Sequence, residues 1–146
     1  MRGFTLLELL VVLAIIGFLV AAVPGFLLRD NKAFDLDRAT REMANGLREV
    51  RQAALFANRE QLFGIDVERR QFLPGAGATP VQLQRNVQLR FVTARQELLG
   101  DNIGQIRFYP DGSSTGGRVV LMSDDLQNLI DIDWLTGLIS ISNDSR

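Results

Sequence analysis

The side chain with the most chemistry to offer stands at the head of the most apolar stretch: Glu8 precedes Leu9 to Leu28, twenty residues without a charge. A carboxylate in a membrane span costs on the order of 2.5 to 3.5 kcal/mol at the helix centre and less near the interface, so it needs either a cationic partner or a position where it can snorkel to the headgroups. Two other groupings invite a chemical reading. Asp124, Asp125, Asp131 and Asp133 are the kind of carboxylate cluster that a hard cation such as calcium takes from loops. The segment Asp111 to Gly117, D-G-S-S-T-G-G, is rich enough in glycine to present backbone donors to a phosphate. Neither grouping has its context. The carboxylates lack EF-hand spacing, and Asp131 and Asp133 alternate with Ile130, Ile132 and Trp134 as the wet face of a strand does. The glycine-rich segment has no Lys followed by Ser or Thr and runs into a strand rather than a helix, so it is expected to be a wide hairpin loop. With no cysteine and no histidine, disulfides, thiolate or imidazole metal sites, Cys nucleophiles and Ser-His-Asp triads are all excluded. No catalytic, cofactor-binding or metal-binding residue is expected, and a membrane-anchored enzyme is the least supported reading.

The elements that must position Glu8 begin with that apolar run. At 1.5 Å rise per residue, twenty residues span the roughly 30 Å hydrocarbon core of a bilayer, which predicts a single transmembrane helix. A secretory signal peptide is the alternative, with Val20-Ala21-Ala22 as a small-residue cleavage site; against it, the run exceeds the usual 7 to 15 residues or so and carries Glu8 at its start. Arg2 keeps the short N-terminus cytoplasmic, so everything after Arg29 is expected across the membrane. Pro24 and Gly25 predict a kink late in the span. Beyond the polar patch Arg29 to Lys32, apolar residues return at Leu36, Ala39, Met43, Leu47, Val50 and Ala54, the three-and-four spacing of one helix face. Asp37, Arg41, Arg48 and Arg51 lie off that stripe and, with Glu42 and Glu49, read as a solvated, charge-balanced face. The pattern predicts one nearly continuous helix from about Thr5 to about Ala57, roughly 80 Å long.

From Gln61 the period changes. Gln61 to Asp66, Val87 to Val92, Ile103 to Tyr109, Arg118 to Met122, Leu129 to Trp134 and Leu138 to Ile141 are short runs of branched and aromatic residues, several with strict alternation. They predict five to seven antiparallel strands, neighbours forming hairpins, with Trp134 pointing into the core alongside Ile130 and Ile132. Pro74-Gly75, Pro110-Asp111-Gly112, Gly116-Gly117 and Thr136-Gly137 supply the turns, and Leu73 to Pro80 and Arg95 to Asn102 read as irregular loops. The fold class is therefore α+β: a long N-terminal helix packed by its second half on antiparallel sheet, a ladle whose sheet is expected to divide into two small sheets. Sixteen basic against seventeen acidic residues give a net charge of −1 and no basic footprint, so no nucleic-acid partner is expected.

The residues G-F-T-L-L-E at Gly3 to Glu8, followed by the long apolar helix, resemble the type III signal of type IV pilins and type II secretion pseudopilins. In the C-terminal half, I-R-F-Y-P-D-G-S-S-T-G-G-R-V-V-L at Ile106 to Leu121 and D-W-L-T-G at Asp133 to Gly137 resemble the minor pseudopilin H family. The resemblance covers both ends of the chain and leaves residues 61–102 without a match. It implies a pilin-like fold divided into a leader at 1–3, a transmembrane helix at 4–28, an amphipathic continuation at 29–60 and a periplasmic β-rich domain at 61–146. It also implies cleavage between Gly3 and Phe4 by the prepilin peptidase, N-methylation of Phe4, and an assembly role for Glu8 opposite the Phe4 ammonium of a neighbouring subunit. The implied partners are other pseudopilins through the N-terminal helix, the peptidase and the inner-membrane secretion platform. The implied place is the bacterial inner membrane, single-pass, with the C-terminal domain in the periplasm. The function expected on this resemblance is structural, a minor pseudopilin at or near the pseudopilus tip that helps export folded proteins across the outer membrane. A minor pilin of a type IV pilus, acting in pilus priming or DNA uptake, is the alternative.

Overall fold

A computed structural model describes residues 6–27, 32–92 and 103–145. The chain divides into two compact units, Met1–Asn31 and Lys32–Arg146. The first contains helix α1, Leu6–Leu27. Its described side chains, Leu6 to Leu19, are apolar around the whole circumference except at Glu8, and all are exposed. Among the described residues no helix is long and apolar enough to cross a membrane; the expected crossing over 4–28 extends past the side chains described in α1. The helical backbone continues through Pro24 and Gly25. Continuity of one helix across residues 28–31 lies outside the described residues, as does the expected loop from Arg95 to Asn102.

The second unit starts with helix α2, Lys32–Ala57. Leu36, Ala39, Met43, Leu47, Val50 and Ala54, the six positions of the expected stripe, are all buried, joined by Thr40, Ala44 and Gly46. Asn58 ends the helix by entering the left-handed region at φ 47°, with the Arg59 N–H reaching back to the Ala54 carbonyl at 3.3 Å. Among the described residues, eight strands follow in two four-stranded antiparallel sheets. The first has the order β3-β2-β1-β5, from β1 (Gln61–Asp66), β2 (Gln71–Leu73), β3 (Val81–Gln82) and β5 (Ile103–Phe108). The second has the order β4-β6-β7-β8, from β4 (Gln88–Val92), β6 (Gly117–Ser123), β7 (Leu126–Ile132) and β8 (Ile139–Ser145). Of the six expected strands, the one from Gln61 to Asp66 is found with those bounds, three have ends shifted by one residue, and the run expected from Leu138 to Ile141 is found at Ile139–Ser145, four residues longer at its end. The run expected from Leu129 to Trp134 is found at Leu126–Ile132, three residues earlier at its start. The strands β2 and β3 were not expected; three and two residues are too few to show a period of two.

One core lies between α2 and the two sheets. Gly46 lets the helix approach closely, since a Cβ there would sit 3.2 and 3.3 Å from the Phe63 and Phe72 rings, which stack at 5.4 Å between centroids. On the other sheet, Asn128 is buried and donates to Asp37 at 2.9 Å and to Thr40 at 3.2 Å, while the Thr40 hydroxyl donates to the Leu36 carbonyl at 2.7 Å. That small network fixes the helix on β7, because sliding it would bury an unpaired amide. Phe91 of β4 lies over Gly104 of β5, where any side chain would overlap its ring, and so joins the two sheets.

Two expectations are corrected. The strands β5 and β6 do not form a hairpin: they belong to different sheets, and residues 109–116 carry the chain from one sheet to the other. Trp134 is not core; it is 66% exposed. Asn128, Ile130 and Ile132 alternate inward as the pattern requires, but the strand stops at Ile132. The Asp133 carboxylate accepts from the Leu135 and Thr136 N–H groups at 3.0 and 2.7 Å and from the Thr136 hydroxyl at 2.8 Å, which turns the chain before the alternation reaches Trp134. Trp134→Ala is accordingly expected to shift stability by less than about 1 kcal/mol in denaturant unfolding, rather than the roughly 3 to 5 kcal/mol of a core tryptophan.

Candidate assembly site and the loop groove

Gly3 and Phe4 lie outside the described residues. Glu8 is placed in the first turn of α1 with its side chain exposed. A carboxylate there faces the positive end of the helix dipole, a favourable position worth roughly 0.3 to 1 kcal/mol in water.

The two C-terminal stretches that carried the family resemblance meet at one place. Arg51, one residue past the buried Val50, extends from α2 to both: its Nε donates to the Gly112 carbonyl at 3.1 Å and its Nη2 to the Thr136 carbonyl at 2.9 Å. Ser114 ties the loops together directly, donating its N–H to the Trp134 carbonyl at 2.9 Å and its hydroxyl to the Asp133 carbonyl at 3.0 Å. Gly137 closes the second loop at φ 62°, its N–H on the Asp133 carbonyl at 2.9 Å, and packs so close that a Cβ would overlap the Gly112 carbonyl oxygen. Arg51 was expected only as a solvated charge; its position off the apolar stripe carries no sign of these distant partners.

The phosphate reading of the first loop is disposed of by its own hydrogen bonds. The N–H of Gly112 goes to the Tyr109 carbonyl, that of Ser113 to the Asp111 carboxylate, that of Ser114 to Trp134, that of Thr115 to the Arg107 carbonyl, and that of Gly116 to the Ser114 hydroxyl. Successive donors are consumed within the protein, so none converges on an anion. The acidic residues are likewise spread: Asp124 pairs with Lys32 at 2.6 Å, Asp131 with Arg118 at 2.5 Å, and Asp133 builds its turn. Among the described residues no group of three or more potential ligands could hold a metal.

Hydrogen bonds set the ionisation of the two loop carboxylates. The Ser113 hydroxyl and then its N–H hold Asp111 below the ordinary value of 3.8, and the Thr136 N–H and hydroxyl do the same for Asp133, followed by the Leu135 N–H. A depressed folded-state value means that the ionised form is favoured by folding, so the contribution is present above 3.8 and is lost as pH falls through the folded values. The emission of Trp134, the only tryptophan, is therefore expected to titrate with a midpoint below 3.8 in a fluorescence measurement, as the adjoining turn loses its acceptor.

Comparisons with known proteins agree with this architecture. Residues 1–24 match the Prokaryotic N-terminal methylation motif, and residues 39–136 match the family Type II transport protein GspH. The chain is 33% identical over 137 residues to the Type II secretion system protein H of Xanthomonas campestris pv. campestris, covering 94% of this chain and 80% of that one. Among solved structures, the minor pseudopilin EpsH from the type 2 secretion system of Vibrio cholerae superposes with a TM-score of 0.59 at 14% identity, over 75% of this chain and 97% of that one. The type IV minor pilin FimU of Pseudomonas aeruginosa reaches 0.57 at 13% identity, over 75% and 90% of the two chains. At such identities the two structures establish a shared fold, and the pilus protein is a neighbour in fold only. The match across residues 39–136, together with the Xanthomonas relative, shows that this chain belongs to the Type II transport protein GspH family, the minor pseudopilins of type II secretion.

Proposed function

We propose that the chain matures by prepilin-peptidase cleavage between Gly3 and Phe4, is N-methylated at Phe4, and stands in the bacterial inner membrane as a single-pass protein with residues 61–146 in the periplasm. Residues 4–28 cross the membrane and residues 29–60 continue as the amphipathic segment that contains α2. Glu8 pairs with the Phe4 ammonium of a neighbouring pseudopilin and thereby selects the assembled state. The protein sits at or near the pseudopilus tip, makes contact with the inner-membrane secretion platform, and helps export folded proteins across the outer membrane. Its role is structural: it is a substrate of the peptidase and not itself an enzyme. The observation that carries this reading is the coincidence in one chain of the methylation motif over residues 1–24 and the GspH region over residues 39–136.

The test is the intact mass of protein extracted from membranes. The mature chain is expected to begin at N-methylated Phe4. Met1 retained, or a start at Val23, would replace this reading with an uncleaved anchor or an ordinary signal peptide.

A further inference from the structure

The second sheet ends on a strand whose outer edge the fold leaves open. β8 pairs with β7 in unbroken register, from Ile139 opposite Ile132 to Ser145 opposite Leu126, and among the described residues no strand lies on its other side. The Asp133 N–H on the Leu138 carbonyl fixes the phase of this ladder, because bonded positions alternate in an antiparallel pair. Ser140, Ser142 and Asp144 therefore spend their backbone groups on β7. Ile139, Ile141 and Asn143 aim their N–H and C=O groups outward.

The other sheet ends are different. β3 has only two residues, and β4 and β5 are joined through Phe91 over Gly104. Exposed edges are ordinarily guarded by proline, by lysine, by a bulge or by shortness. β8 has seven residues, no proline, lysine or arginine among them, and no bulge in its register. Such an edge accepts an added strand, its unspent backbone groups supplying the attachment.

Side chains decide what that strand carries. Ile139 is buried, so the odd positions of β8 face the core and α2, which packs on this strand, and Ile141 among them is left 39% exposed. The helix runs antiparallel to β8. Asp37 and Thr40 hold Asn128, the register partner of Asn143, and a few turns later Arg51 reaches the Thr136 carbonyl just ahead of the strand. Arg41 and Arg48 lie between these two contacts on the side of Asp37, both exposed. Arg48 donates to Asn45 at 3.1 Å, and among the described residues neither guanidinium is within ion-pair distance of a carboxylate. Seven helical residues separate them by about 10 Å, close to the roughly 13 Å from Ile139 to Asn143 along the strand. Carboxylates on an added strand opposite Ile139 and Asn143 would thus meet one arginine each. A second copy, paired β8 to β8, would instead bring its own Arg41 and Arg48 against these two.

We propose that the edge of β8 takes up an extended segment of another protein, hydrogen-bonded to Ile139, Ile141 and Asn143, with an apolar side chain over Ile141 and acidic side chains on either side of it toward Arg41 and Arg48. The proposal rests on the folded unit Lys32–Arg146 and stands apart from processing at Gly3, so either can fail without the other.

The probe is the fluorescein-labelled peptide Thr-Glu-Thr-Val-Thr-Glu-Thr, which reads the same in both directions and so fits either strand polarity. Its counterpart has lysine in place of both glutamates. The full-length protein in nonionic detergent is titrated into each and fluorescence anisotropy is followed. The glutamate peptide is expected to bind with saturation and the lysine peptide at least about tenfold more weakly. Arg41→Glu with Arg48→Glu is expected to raise the half-saturation concentration of the glutamate peptide at least about tenfold, and about 0.5 M salt to raise it as well. Ile141→Pro removes an outward N–H and no bond to β7, so it is expected to abolish binding while the far-ultraviolet circular dichroism stays unchanged. No saturable binding of the glutamate peptide, or equal binding of the two peptides, overturns the proposal whatever the variants do. Dimerisation in sedimentation velocity that Ile141→Pro abolishes would assign the edge to a second copy of this chain and overturn it too.

Discussion

Glu8→Ala is expected to lower the association of this chain with a neighbouring pseudopilin about tenfold or more while leaving membrane insertion and cleavage after Gly3 intact. The substitution removes the carboxylate and its desolvation cost, so insertion becomes no harder. On the proposed pairing, what disappears is the partner of the neighbouring Phe4 ammonium. A hydrogen bond to a charged group contributes roughly 1.5 to 3 kcal/mol, and about 1.4 kcal/mol is already a factor of ten in a binding constant. Tip subunits touch fewer neighbours than shaft subunits, so the effect on this chain is expected to be milder than the same substitution in a major pseudopilin. The measurement is disulfide crosslinking between cysteines introduced into the N-terminal helix of this chain, which has none of its own, and that of a candidate partner, with native Glu8 or with alanine. Equal crosslinking and undiminished exoprotein secretion would reduce Glu8 to a side chain that snorkels to the headgroups, and the pairing would be withdrawn.

Gly137→Ala is expected to destabilise the folded unit by about 2 to 4 kcal/mol. The left-handed backbone at φ 62° costs a non-glycine residue roughly 1 to 2 kcal/mol, and the added methyl cannot be housed. It would overlap the Gly112 carbonyl oxygen and stand 2.9 Å from the Arg51 Nε, so the two loops must part and the guanidinium must give up one or both of its carbonyl partners. Gly77→Ala is the matched control. Gly77 also has a positive φ, 78°, but a Cβ there meets nothing within 4 Å, so its substitution measures strain alone. Denaturant unfolding of the two variants separates the terms: if Gly137→Ala costs no more than Gly77→Ala, the crossing of the loops contributes nothing to stability.

What depended on a helical or strand period along the chain was largely legible in the sequence. Six apolar positions at three-and-four spacing defined the buried face of α2 and all six are buried, because a helix has one period and one side toward the core. Alternation located most strands for the same reason, and Asn58 was recognisable as a helix end. The apolar run after Glu8 and the G-F-T-L-L-E motif at Gly3 to Glu8 were complete statements in one dimension, needing no fold to be read.

The tertiary structure decided everything that turned on which distant segments meet. Strand periodicity says which face of a strand is buried but not which strand lies beside it, so it could not reveal that β5 joins β1 while β6 joins β4 and β7. Trp134 fell on the inward phase of its strand and still came out exposed, because the side chain of Asp133 ends the strand through three local hydrogen bonds that a two-residue period does not encode. Asn128 reads as an ordinary polar residue until Asp37 and Thr40, about ninety positions earlier in the chain, are folded against it. Arg51 reads as one more solvated charge until Gly112 and Thr136 present their carbonyl groups. A backbone carbonyl has no identity in sequence, since every residue carries one, and only the fold determines which of them is left unpaired within reach of a guanidinium.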